Sequence, residues 1–207
     1  MARTKAIPNR AELILGAAEV LFARYGYERT SIEDIAQHLG IGKGSVYLDF
    51  RTKEDILSAL LSRHANQVLG QAQKKVDECR VSPLKTLIQI LEEPCLMVYD
   101  LIKRDIHTPE TLLYTSVQFK GRFSSFFARK RALILELLQR AAAAGEIPQK
   151  NATDEMAQMI MMGTSSIYPP YLDNYSESTE PISRELLQKR AKILVRLIVS
   201  GLKTDQG

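Results

Sequence analysis

Lys43, Gly44, Ser45, Tyr47 and Leu48 sit directly behind a Gly40-Ile41-Gly42 turn. An ammonium, a bare backbone unit, a hydroxyl and a phenol at one helix end can donate hydrogen bonds to phosphate oxygens and base edges. Small residues there suit insertion into a groove about 12 Å wide. Catalytic chemistry is harder to assemble. There is no nucleophile-elbow motif, no phosphate loop and no Ser/His/Asp grouping. Three histidines and two separated cysteines, Cys79 and Cys95, lack metal-ligand spacing and any CxxC pair. Neither a catalytic residue, a metal nor a cofactor is expected.

The elements that must position these groups read as helices. Leu13, Ala17, Val20, Leu21 and Tyr25 recur at three and four residues and predict one buried helical face, stopped by Gly26. Thr30-Ser31-Ile32-Glu33 reads as a capping box with Thr30 as the cap. A short helix follows, with Ile35, Ala36 and Leu39 inward, and Gly40 ends it. Lys43 to Asp49 forms the next short helix. Thr52 caps a long fourth helix that runs to about Cys79 and would couple the two parts of the chain. Pro83, Pro94, Pro109, Pro148 and Pro181 each predict a break or a first-turn residue. Helical stretches lie near 84–103, 117–144, 152–168 and 182–203, and no period-two alternation appears. The fold class is therefore all-α, with about nine helices. An N-terminal three-helix bundle containing a helix-turn-helix (1–51) precedes a larger C-terminal helical bundle (52–207).

The stretch from Tyr25 to Ala36, then Leu39-Gly40-Ile41-Gly42-Lys43-Gly44-Ser45-Val46-Tyr47 and Phe50-Arg51-Thr52-Lys53-Glu54, resembles the TetR family of bacterial transcription regulators. The likeness spans roughly residues 10–60. It implies that Lys43, Gly44 and Ser45 open a recognition helix and that Tyr47 packs against or bonds a DNA phosphate. It further implies that Lys53 meets backbone phosphate, that Thr30 and Ser31 approach the opposite strand, and that Phe50 is core. Asp49 departs from the family pattern, and a carboxylate there must either point away from phosphate or accept from a cytosine amine. Charge is balanced over residues 1–60, so affinity must come from placement, with Lys43, Lys53 and an Arg3/Lys5/Arg10 arm on one side.

In the C-terminal part, 152–168 and 182–203 are apolar around most of the helix, which asks for neighbours on several sides. A four-helix interface between two copies accounts for this, and two reading heads then match the half-sites of a palindromic duplex operator. Met97, Tyr114, Phe123, Phe127, Met159 and Tyr168 are candidates to line a site for a small apolar ligand. Each has ordinary core packing as its alternative. Lys120, Arg122, Arg129, Lys130 and Arg131 occur with no acid among them. A solvated helix face accounts for them, with an anionic head group as the sharper alternative. His64 reads as a hydrogen-bonded core histidine, and His38 and His107 as surface residues.

A net charge of +4 admits a polyanionic partner without demanding one. A polar N-terminus, no long apolar run and unpaired cysteines point to the cytoplasm rather than a membrane. The expectation is a homodimeric DNA-binding regulator, a repressor released by a small apolar effector. An effector-independent DNA-binding or scaffold protein of the same fold is the alternative, and an enzyme has the least support.

Overall fold

Capping chemistry and glycine turns delimit the first helices of the computed structural model, which describes residues 9–103, 123–168 and 182–203. Helix α1 (Arg10–Tyr25) ends at Gly26, whose φ of 83° is left-handed territory where a side chain is strained. The Gly26 amide donates to the Phe22 carbonyl at 2.9 Å. Helix α2 (Ile32–His38) turns at Gly40, φ 66°, and the Ile41 amide then reaches back to the Ala36 carbonyl. Helix α3 (Lys43–Tyr47) follows, then α4 (Lys53–Asp77). Helix α4 opens with a reciprocal cap. The Asp55 amide donates to Thr52 Oγ1 at 3.0 Å, and the Thr52 amide donates to Asp55 Oδ2 at 3.2 Å.

The described residues fall into two compact units. The first runs to His64; the second takes Ala65–Asp100 and the described residues from 123 onward. In the first unit Ile14, Ala18, Phe22, Ile35, Val46, Ile56 and Leu60 are fully buried. Phe22 meets Tyr27 edge to face at 5.2 Å between ring centres. The first turns of α4 thus complete the core that α1–α3 begin. The buried face of α1 is rotated from the sequence expectation. Ile14, Leu15, Ala18 and Phe22 join Ala17 and Leu21 inside, while Leu13, Val20 and Tyr25 are exposed. Two overlapping stripes are available in this apolar helix, and the one carrying Phe22 buries more area.

The second unit holds α5 (Pro83–Lys103) as far as Asp100, α6 (Ser124–Ala143), α7 (Asp154–Thr164) and α8 (Arg184–Lys203). Leu87, Leu91, Ile134, Leu137, Leu138, Ala141, Ala157 and Val195 form its main core. Cys95, Tyr99, Ile167, Leu187 and Ala191 form a second cluster, with Leu96, Tyr168 and Leu194 against it. The Arg140 guanidinium donates to the carbonyls of Val76 (2.8 Å) and Cys79 (2.7 Å), satisfying acceptors at the end of α4. Arg184 grips Asp100 with two bonds of 2.9 and 3.2 Å, joining the start of α8 to α5.

Eight α-helices, two single-turn 3-10 segments and no strand occur among the described residues. The all-α expectation agrees. Pro94 does not break the chain as expected but lies inside α5. Pro109, Pro181 and the arm of Arg3 and Lys5 lie outside the described residues. No described helix is long and apolar enough to cross a membrane.

Candidate nucleic-acid interface

Helix α3 offers a small, open surface. Val46 is its single buried residue, packed in the core of the first unit. On the other side Lys43 and Gly44 are exposed, Ser45 is half-buried, Tyr47 is 43% exposed and Leu48 is 73% exposed. A Cβ added at Gly44 would meet nothing within 4 Å. No side chain caps the start of α3. The helix therefore presents backbone as well as side chains outward, the surface a groove reader needs.

Three cations near this surface, Lys43, Lys53 and Arg10, are already engaged. The Lys43 ammonium pairs with the Glu33 carboxylate on α2 and lies 5.5 Å from the Tyr47 ring centre. Lys53 donates to the Tyr27 carbonyl at 2.9 Å and the Glu28 carbonyl at 3.3 Å, with its ammonium 4.2 Å from the Tyr27 ring centre. Arg10 Nε lies 2.5 Å from Asp49 Oδ2, and this bond holds the Arg10 pKa above its ordinary value. The open question about Asp49 has a physical answer here. Its charge is taken up by Arg10, a pairing between residues far apart in sequence and hard to read from it.

Thr30 requires a correction. It is 2% exposed, and its hydroxyl donates to the Gly26 carbonyl at 2.8 Å. It closes the end of α1 and cannot meet a phosphate from there. The capping box of α2 lies one residue later. Ser31 Oγ accepts from the Asp34 amide at 3.2 Å, while the Asp34 carboxylate accepts from the Ser31 amide (2.8 Å) and hydroxyl (2.7 Å). Those two bonds, the backbone one first, hold the Asp34 pKa below the usual carboxylate value. Ser31 stays half-buried at the helix entrance. The sequence carried both readings, since Thr30 with Glu33 and Ser31 with Asp34 share one spacing.

The signature of bacterial regulatory proteins of the tetR family matches residues 14–60, from α1 through the first turns of α4. Residues 14–60 carry a domain of the TetR family. The chain is similar to the fatty acid metabolism regulator protein of Bacillus subtilis, 25% identical over 158 residues, 76% of this chain and 79% of that one. A transcriptional regulator from Cytophaga hutchinsonii shares the fold with a TM-score of 0.73 at 19% identity, covering 94% of this chain and 99% of the other. FadR from Bacillus subtilis, solved in complex with stearoyl-CoA, has a TM-score of 0.67 at 20% identity, covering 92% and 98%.

Outside its TetR-type helix-turn-helix, the chain distributes the six expected ligand residues unevenly. Tyr114 lies outside the described residues. Met97 and Phe123 are half-buried. Tyr168 is half-buried against the cluster of Cys95 and Tyr99. Phe127 is 49% exposed and borders an open groove between α6 and α7, with Arg131, Met161 and Met162. Met159 is 47% exposed and borders a second groove with Gly163, Leu197 and Ile198. Phe127 and Met159 are thus corrected from interior to surface. Both follow the residues that anchor their helices, Leu133 and Ile134 on α6 and Ala157 and Ile160 on α7.

Lys130 departs from the solvated-face reading of the basic stretch. The basic stretch reads as a solvated face, yet Lys130 turns inward, its ammonium 4.7 Å from the Tyr168 ring centre. A signal for this existed. Lys130 lies four residues before Ile134 and seven before Leu137, on the stripe that α6 buries. Burial lowers its pKa from 10.5 to about 8. Beside it the Cys95 thiol is buried and its pKa rises to about 11.

Proposed function

We propose that this chain is a homodimeric, DNA-binding repressor that leaves a palindromic operator when a small apolar molecule binds its C-terminal part. The observation that carries the reading is α3: one buried anchor, Val46, beneath an outward surface of Lys43, Gly44, Ser45, Tyr47 and Leu48. Residues 1–51 are the DNA-binding domain in this reading, steadied by the first turns of α4. Residues 52–207 serve dimerisation and ligand binding, in a reducing cytoplasm.

Support for the dimer comes from α7 and α8. Met159, Met162, Ile193 and Leu197 are exposed there, on two helices that border one groove, and apolar side chains grouped in this way mark association surfaces. Gly163 and Gly201 border the groove between these helices and permit close approach. A second copy supplies the same pair of helices and, by two-fold symmetry, a second α3 for the second half-site. Binding of stearoyl-CoA by FadR shows that this fold accepts an apolar chain elsewhere. The transcriptional regulators it resembles also argue against an enzyme.

The test selects bound sequences from random duplexes, then measures release by a panel of apolar molecules. Salt-sensitive binding to a two-fold symmetric site is expected. Release requires that the ligand prefer the shape that does not bind DNA. Sequence-indifferent binding would overturn the reading. Symmetric binding that no ligand weakens would favour the effector-independent alternative.

A further inference from the structure

Glu33 takes no part in capping its own helix. The spacing from Thr30 would place it in a capping box, but the box of α2 joins Ser31 to Asp34. Glu33 is left exposed on the first turn, and its carboxylate crosses to α3 and accepts from the Lys43 ammonium. That ammonium also lies 5.5 Å from the Tyr47 ring centre. A carboxylate from α2 and a ring from α3 thus hold one cation at the open start of α3. Both members of the ion pair stay open to solvent, so the pair contributes little to folding. Its consequence lies in what Lys43 can still do.

A free lysine is a point charge on a flexible stem and settles on any phosphate. A paired lysine behaves differently. The carboxylate cancels most of the charge felt at a distance and itself repels phosphate. The ammonium keeps its remaining N–H donors, and the pair and the ring fix where it stands. In the major groove guanine presents two acceptors, O6 and N7, to such a donor. We propose that Glu33 is a specificity-determining residue for DNA: it turns Lys43 from a phosphate-seeking charge into a placed donor that reads guanine. Unrelated duplex then gains little from Lys43, whereas a site with guanine at that step gains a base contact. The inference rests on the DNA-binding function proposed above and assigns a source of its selectivity.

Fluorescence anisotropy of the full chain tests it, on the duplex selected by the unaltered protein and on a scrambled duplex of equal length. The proteins are the unaltered chain, Glu33→Gln, Lys43→Gln and the double variant. Glu33→Gln is expected to bind the scrambled duplex about tenfold more tightly, with a salt slope steeper by about one. Its affinity for the selected duplex should change less than about threefold, so the ratio between the two falls. In the Lys43→Gln background, Glu33→Gln should leave that ratio unchanged. An equal gain on both duplexes overturns the proposal, since Glu33 is then a plain repulsive charge. An equal loss on both does the same, since that is what poorer folding produces. A ratio that falls as far without Lys43 also overturns it. Repeating the selection with Lys43→Gln should relax a guanine position, and relaxation at no guanine counts against the proposal as fully. Absence of a preferred duplex for the unaltered protein overturns the repressor reading itself, before any variant is made, and this one with it.

Discussion

Arg10, the first residue of α1, and Asp49, two residues beyond α3, hold each other at 2.5 Å across thirty-nine positions of sequence. The pair neutralises a carboxylate that would otherwise stand beside the recognition helix. In the proposed reading it also withholds a guanidinium from DNA. Asp49→Asn is therefore expected to raise operator affinity at low salt and to steepen the salt dependence by about one unit of slope, as one more cation becomes free to meet phosphate. Fluorescence anisotropy across a salt series measures both. An unchanged slope means Arg10 never reaches the duplex.

Gly44 separates folding from recognition. Nothing lies within 4 Å of a Cβ built there, and its backbone is ordinary helix. Gly44→Ala should stabilise the chain by about 0.5–1 kcal/mol in a thermal melt. If the proposed reading holds, the same methyl group occupies space that a base edge or phosphate needs. DNA affinity should fall about tenfold while stability rises, a loss of roughly 1.4 kcal/mol. If both improve together, the backbone at Gly44 does not face DNA.

Lys53 is tethered to the carbonyls of Tyr27 and Glu28, so its removal has two consequences. Lys53→Ala is expected to weaken binding to all sequences alike, to lower the salt slope by about one, and to lower the melting temperature of the free protein. Lys43 and Ser45 substitutions should instead change which sequences are selected. Identical selected sites would make them spectators.

His64 gives the pH dependence a sign. Burial lowers its pKa from 6.5; the Glu19 carboxylate, 3.3 Å away, opposes this in part, and Arg63 adds to the lowering. The unfolded chain takes up a proton near about 6.5, and the folded chain only at lower pH. The contribution is thus whole above that value and lost as pH falls through the interval below it. Melting temperature should drop on going from pH 7.5 to 5.5, and His64→Gln should flatten that drop. An undiminished drop in the variant assigns the sensitivity to other groups.

Leu197→Glu tests the association of copies. Leu197 is the most exposed large apolar residue of α8, so a charge there leaves each subunit's core intact. Light scattering should report a monomer, with operator binding lost. A dimer that persists would place the interface elsewhere.

The helices and their stops were readable because glycine, threonine and proline act locally. Gly26, Gly40 and Thr52 each terminate or open a helix where the sequence places them. Residues that act at a distance were not readable. The Arg10–Asp49 pair depends on how α1 meets the end of α3, and no local pattern encodes that. Thr30 looked like a cap because threonine is a good one; its burial against Gly26 decides otherwise. Lys130 fell into a charged run, and charge masked the helical period that carries it inward. For Met159 and Phe127, side-chain type says what can line a ligand but not which way a helix turns.

Pro94 brings no N–H to α5, so the carbonyl of Ile90 has no donor in the usual place. The helix continues regardless, and the next residue, Cys95, spends its thiol proton on the Glu92 carbonyl. Its backbone ladder has one rung missing beside the very cluster that Tyr168 joins. The missing rung leaves the turn before Pro94 with one backbone bond fewer than the turns on either side, which is where a helix bends at least cost.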